Sequence, residues 1–361
     1  MVSQLLSAGS RAPAVVATVL AAAAVAVAPA PSAVPAPTTR ELVGQRLVVA
    51  LEGEHPSQAI LARIRRGEIG GVILFGANVT SPAQVHGLCA SLQQAARAAG
   101  RPPLLIATDQ EGGSVRRLPW AGPDLAAADL GSFGTGRIRD EARRAGLAMR
   151  AVGIGVDLAP VADVPGPGSF MAAERRTFGA SAPAVGRAVA AFGRGLSDAR
   201  VVATVKHFPG IGAATRNTDR SAVVIGSPLG ALESGWPPFR AAIAAGVPLV
   251  MISNASYPAL DAKPAAWSSR VQAILRGALG FRGVTITDAL DAAAATRGRD
   301  VASVAVLSAQ AGVDLLLVTG SERASARVFD RLLRAAEQGG IPAASLRRSY
   351  DRILALKRAN P

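Results

Sequence analysis

Five apolar runs in this sequence stop on residues that can ionise or hydrogen-bond. They are Pro103–Asp109, Gly155–Asp163, Val201–His207 (ending Lys206-His207), Val247–Asn254 and Gly283–Asp288. A polar group at the end of a buried run is unfavourable unless something pairs with it. Carboxylates, a lysine, a histidine and an amide brought to one place would supply the acceptors and donors of a polar-ligand site. Taken singly, each could instead cap the following helix or close a salt bridge.

Whether they meet depends on the elements that carry them. Eight short runs rich in β-branched residues recur from residue 40 onward; besides those five they are Gln45–Leu51, Gly70–Phe75 and Val313–Thr319. Segments with helical periodicity separate them: 57–67, 82–99, 139–152, 183–200, 229–245, 269–279, 300–312 and 321–338, with a last helix near 342–359. Apolar strands alternating with helices indicate parallel strands buried on both faces. Eight such units predict an α/β fold, a single-domain (β/α)8 TIM barrel, with a doubly wound open sheet as the alternative. In a barrel, the C-terminal ends of the strands form one mouth, so Asp109, Asp163, Lys206, His207, Asn254 and Asp288 would converge there.

Composition narrows the remaining classes. With 361 residues, 50% of them hydrophobic, the chain can bury a sizeable core. The balance of 39 Lys+Arg against 25 Asp+Glu gives +14, which suits an anionic partner. The same bias, with 38 Gly, 24 Pro and abundant Ala, also fits a GC-rich genome, so charge carries little weight. Only 2 Tyr and 3 Trp are present for base stacking, and nucleic acid is set aside. The single Cys89 excludes a disulfide framework within the chain, and His55, His86 and His207 are too dispersed for a local zinc motif, so no metal is expected. Gly210-Ile211-Gly212-Ala213-Ala214-Thr215 is not a dinucleotide fingerprint and no phosphate-loop lysine follows, so no cofactor is expected.

Residues 1–37 read as a signal peptide and Pro/Ala-rich linker ahead of a domain spanning 38–361. Arg11 is their only charge, Ala14–Ala28 is apolar, and small residues follow. The run is short for a membrane span of about 20 residues, and no cysteine lies near its end to carry a lipid. Removal of the leader takes the net charge from +14 to +13. The expected location is secreted or cell-envelope associated, with no membrane contact beyond the export signal; the oligomeric state stays open.

With these positions in view, the sequence resembles glycoside hydrolase family 3, specifically its single-domain β-N-acetylglucosaminidases, from about Val43 to Ala355. The resemblance is carried by Gly70–Asn78, by Asp109-Gln110-Glu111-Gly112-Gly113-Ser114-Val115-Arg116-Arg117, by Asp157–Asp163, by Arg176-Thr177-Phe178-Gly179, by Lys206-His207-Phe208-Pro209-Gly210 and by Thr287-Asp288. It implies that Asp288 is the nucleophile of a retaining glycosidase, and that Asp109, Arg117, Arg176, Lys206 and His207 bind the sugar. A helix cap is the alternative role for Asp288, a solvated charge the expected one for Arg116, and an ion pair with Lys206 or Arg176 an alternative for Asp163. The implied substrate is a terminal β-linked N-acetylglucosaminide, including cell-wall fragments.

The loop after Lys206–Gly210 departs from the family pattern. The family continues with His-Gly and later Asp-Ser-His, whose last histidine works with the aspartate as acid and base. Here Ile211 stands first, and Ala213–Ser221 contains no histidine. Asp219 is then the nearest candidate for the acid and base, with Glu174 and His207 as fallbacks. Ser253-Asn254 also replaces the Ala-His often found after the sixth strand. A barrel that binds wall sugars without cleaving them is the alternative function, and a metal-dependent hydrolase a distant third.

Overall fold

The structure is a computed structural model that describes residues 9, 10, 12–15, 17 and 36–360. The chain divides into two units, Met1–Ala36 and Pro37–Pro361. The few described residues of the first carry no helix or strand, and the leader expected over 1–37 lies mostly outside the described residues.

In the second unit eight parallel strands form one sheet: β1 (Leu47–Ala50), β2 (Gly71–Leu74), β3 (Leu105–Thr108), β4 (Val156–Asp157), β5 (Val202–Phe208), β6 (Leu249–Ile252), β7 (Val284–Thr287) and β8 (Leu316–Val318). Their order is β7-β6-β5-β4-β3-β2-β1-β8. A parallel bridge from Ile286 to Leu315, with Leu315 N–H donating to the Thr285 carbonyl at 2.8 Å, joins the two ends of that order. Each strand is followed by a crossover helix: α1 (Gln58–Arg65), α2 (Pro82–Ala98), α3 (Thr135–Ala151), α4 (Ala182–Asp198), α5 (Pro237–Ala244), α6 (Ser269–Gly277), α7 (Val301–Ala311) and α8 (Glu322–Glu337). This is the expected (β/α)8 barrel.

The two-residue period of the strands produces two separate apolar cores. Val48, Ile73, Leu105, Val156, Leu249 and Ile286 point into the barrel with their neighbours. The alternating Leu47, Val49, Val72, Ile106, Val250 and Leu316 face the helices. A ninth helix, α9 (Ala343–Ala359), sends Ile353 and Leu356 into the interior cluster, and its Lys357 donates to Gln45 Oε1 at 2.6 Å and to the Gly70 carbonyl at 2.8 Å. Gln45 and Gly70 precede β1 and β2, so α9 plugs the N-terminal end and leaves the other end for a ligand.

Two local departures have clear causes. The segment 229–245 is not one helix but two, Leu229–Glu233 and α5, because Pro237 and Pro238 have no N–H to continue the first. Strand β4 is much shorter than the apolar run Gly155–Asp163; past it the pairing becomes irregular, with Leu158 N–H donating to the Thr108 carbonyl, Thr204 N–H to the Ala159 carbonyl and a bridge from Val161 to Lys206, and the chain then turns Asp163 toward β5.

Candidate active site

The C-terminal mouth holds a cavity of about 670 Å³. Asp109, Arg117, Arg176, Lys206, His207, Asp219 and Asp288 all line it, although they come from β5 itself and from the connections that follow β3, β4, β5 and β7.

Its floor is an ion-pair cluster centred on Glu111, a residue to which the sequence reading gave no role. Arg176 grips Glu111 with two parallel bonds, Nε to Oε2 and Nη2 to Oε1, both 2.8 Å. Lys206 Nζ lies 2.6 Å from Glu111 Oε1 and 2.7 Å from Asp109 Oδ1. Burial alone would raise the Glu111 carboxyl, but the two cations outweigh it and hold it far below the usual carboxylate range. Burial likewise works against the Lys206 ammonium, and Asp109 and Glu111 overcome it, pushing Lys206 up to about 12. Asp109 and Glu111 balance the two cations, and Arg176 Nη1 also meets the more exposed Glu174 Oε2 at 3.3 Å, so no positive charge is left over.

A tight turn makes this arrangement possible. Immediately after β3, a hairpin of Gln110–Gly112 and Val115–Arg116 folds back on itself. Gly112 and Gly113 turn it at φ of 103° and 57°, and a Cβ on Gly112 would lie 2.4 Å from the Leu125 carbonyl. Arg117 follows, with its guanidinium carbon 6.0 Å from the Phe75 ring centre and its Nε buried without a hydrogen-bond partner. Arg116, expected as a solvated charge, pairs with Asp124.

Asp163 contacts neither Lys206 nor Arg176 in an ion pair; both cations are taken by Glu111. Its Oδ2 lies 2.7 Å from His207 Nδ1, and its Oδ1 accepts from Ile211 N–H at 2.7 Å. Asp163 thereby orients the histidine ring and anchors the loop behind it. Ile211 is buried, and the loop packs so closely that a Cβ on Gly212 would lie 1.8 Å from the Val164 carbonyl.

Asp288 follows β7 directly. Its N–H donates to the Ile252 carbonyl at 2.9 Å and its Oδ1 accepts from Ala289 N–H at 2.8 Å. The nearby short helix Ala293–Thr296 has Ala292 as its N-cap, so Asp288 does not cap it. Asn254 braces the same turn, its Nδ2 donating to the Ala289 carbonyl at 2.7 Å. Burial raises the Asp288 carboxyl; the field of His207 lowers it, and Asp219 raises it again. Asp219 is exposed on the rim, in a loop tied to the segment after Asp288: the Asp219 and Thr218 carbonyls accept from Ala293 and Ala294 N–H at 3.0 and 3.1 Å.

Residues 38–356 match the family model described as the glycosyl hydrolase family 3 N terminal domain. The chain belongs to glycosyl hydrolase family 3. As a member of that family it is a glycoside hydrolase acting on carbohydrate. It is 36% identical over 325 residues to a protein of Arthroderma benhamiae described as an uncharacterized secreted glycosyl hydrolase, covering 87% of this chain and 92% of the other. It is 34% identical over 295 residues to a beta-hexosaminidase of Stenotrophomonas maltophilia, covering 78% and 84%. Among solved family 3 structures, a beta-N-acetylglucosaminidase from Paenibacillus superposes with a TM-score of 0.86 at 36% identity; the match covers 90% of this chain but only 63% of that protein. A beta-N-acetylhexosaminidase from Beutenbergia cavernae gives 0.83 at 32% identity, over 90% and 99%.

Proposed function

We propose that this family 3 hydrolase removes terminal β-linked N-acetylglucosamine with retention of configuration, and that Asp288 is its nucleophile. The observation that carries the reading is the placement of Asp288 at the end of β7, held by Ala289 N–H and facing the cavity that also contains the balanced Asp109, Glu111, Arg176 and Lys206 cluster. A carboxylate fixed at a strand end is aimed before the substrate arrives. In the first step Asp288 attacks the anomeric carbon while Asp219 protonates the departing oxygen. In the second, Asp219 takes a proton from water, the water oxygen attacks the same carbon, and the bond to Asp288 breaks. Asp109 accepts from sugar hydroxyls, and Arg117, Arg176, Lys206 and His207 donate to hydroxyls and the acetamido carbonyl.

The names of the beta-hexosaminidase relatives support the choice of sugar. Cell-wall fragments as substrate and export by the first 37 residues belong to the same proposal; the Arthroderma benhamiae relative described as secreted agrees with export. No helix among the described residues is long and apolar enough to cross a membrane.

A sugar-binding barrel without catalysis is the second reading, and Ile211 favours it by filling with a buried apolar chain the place where the family carries a histidine. Assay of the mature protein on an aryl β-N-acetylglucosaminide, with and without phosphate, decides between them. Turnover that disappears in a folded Asp288→Asn variant supports the enzyme; binding without turnover supports the second reading.

A further inference from the structure

Asp157 is completely buried at the end of β4, and the roles proposed so far leave it unused. Its Oδ1 accepts from Gln110 N–H at 2.9 Å, and its Oδ2 is buried with no partner. The Gln110 side chain in turn clamps the hairpin: Oε1 accepts from the Arg117 and Leu118 N–H groups, both at 3.0 Å, and Nε2 donates to the Leu118 and Gly122 carbonyls at 3.0 and 2.7 Å. Asp157 therefore sits beneath the segment that carries Glu111 and Arg117. Asp109, Glu111 and Lys206 are the charged groups that act on it, and Arg176 completes their cluster. That cluster is already balanced, so an ionised Asp157 with one bare oxygen would add a buried charge that nothing offsets.

We propose that Asp157 is a positioning residue that works in its neutral, protonated form, fixing the Gln110 clamp through Oδ1 while adding no charge to the neighbouring Asp109, Glu111, Lys206 and Arg176 cluster. Burial pushes its carboxyl up to about 8, with Gln110 N–H and Lys206 drawing it down and Asp109 and Glu111 adding to the rise.

The test measures kcat/KM for an activated aryl β-N-acetylglucosaminide, whose leaving group needs no proton from Asp219, from pH 5 to 10, and unfolding free energy from pH 4 to 9, for the wild type, Asp157→Asn and Asp157→Ala. In the wild type kcat/KM falls above about pH 8, as Asp157 loses its proton. Asn keeps an acceptor for Gln110 and cannot ionise, so that variant stays within about threefold of wild type at neutral pH and lacks the alkaline fall. Ala leaves Gln110 N–H unpaired and loses about tenfold or more, chiefly through KM. The folded pKa lies above the unfolded one, so the stability that Asp157 contributes is full below the ordinary aspartate value and is lost as pH rises through about 8; the wild-type advantage over Asp157→Asn shrinks across that window. An Asn variant as damaged as Ala, an alkaline fall that survives in Asn, or an Ala variant with wild-type kinetics would each overturn the proposal. If Ala does not fold, the Asn profiles decide. The proposal rests on the cavity being the sugar site: absence of wild-type turnover defeats that reading, whereas the unfolding measurement needs no substrate and tests the protonation of Asp157 directly.

Discussion

Asp163 Oδ2 lies 2.7 Å from His207 Nδ1, and the histidine so oriented faces the cavity and lowers the Asp288 carboxyl through its field. Burial still leaves that carboxyl above its ordinary value. Asp288 must be ionised to attack, so the acid limb of kcat/KM is expected above the usual aspartate range. His207→Ala should move that limb further up, and Asp163→Asn should move it less while lowering the rate. An acid limb at the ordinary value in all three proteins would mean that the fall in rate at low pH does not report Asp288.

Arg176 and Lys206 were expected to serve the sugar, yet both also neutralise Glu111, whose side chain is only 3% exposed. Arg176→Ala is therefore expected to destabilise the fold by about 3–5 kcal/mol, the range for breaking a buried pair, as well as weakening substrate binding. The double variant Glu111→Gln with Arg176→Met should recover much of that stability and none of the activity. Thermal and urea unfolding would show it; an Arg176→Ala protein as stable as wild type would contradict the cluster's structural part.

At the opposite end of the barrel, burial lowers the Lys357 ammonium to about 7. Between there and the ordinary lysine value near 10.5 the unfolded chain holds a proton that the folded chain has released. Stability from this group is full above the ordinary value and is lost as pH falls through about 7. The stability difference between wild type and Lys357→Met should therefore rise with pH through this window, by at most about 1.4 kcal/mol per pH unit. A difference that is flat from pH 7 to 10 would count against it.

The strand ends were legible in the sequence because five of the eight apolar runs terminate abruptly on an ionisable residue or an amide, and the barrel brings those ends together. That is why Asp109, His207 and Asp288 could be named before their geometry was known. Glu111 and Asp157 were not legible. Glu111 lies one turn past its strand, and only the paired Gly112 and Gly113 hint that the chain doubles back to bury it. Asp157 falls inside an apolar run where sequence offers no way to see that Gln110 needs an acceptor. The partner of Asp163 was equally hidden, since the choice among Lys206, Arg176 and His207 depends on which cation Glu111 has already taken.

Asp219 stands exposed on the rim in a loop without histidine. If it supplies the proton, Asp219→Ala should spare cleavage of an activated aryl glycoside far more than that of a disaccharide, whose leaving oxygen needs the proton. Azide should then speed the activated substrate and yield a β-glycosyl azide. Equal losses on both substrates and no azide product would leave Asp219 a structural residue and direct attention to Glu174 or His207.

The central claim is that Asp288 forms a covalent bond to the sugar. A slow N-acetylglucosaminide analogue, with fluorine on the ring to destabilise the transition state and a good leaving group to load it, should accumulate the intermediate. Mass spectrometry of the intact chain and its peptides is then decisive. The predicted result is one added sugar on the peptide containing Asp288, absent from the Asp288→Asn protein. A sugar attached to another residue, or turnover with inverted configuration and no adduct, would contradict it.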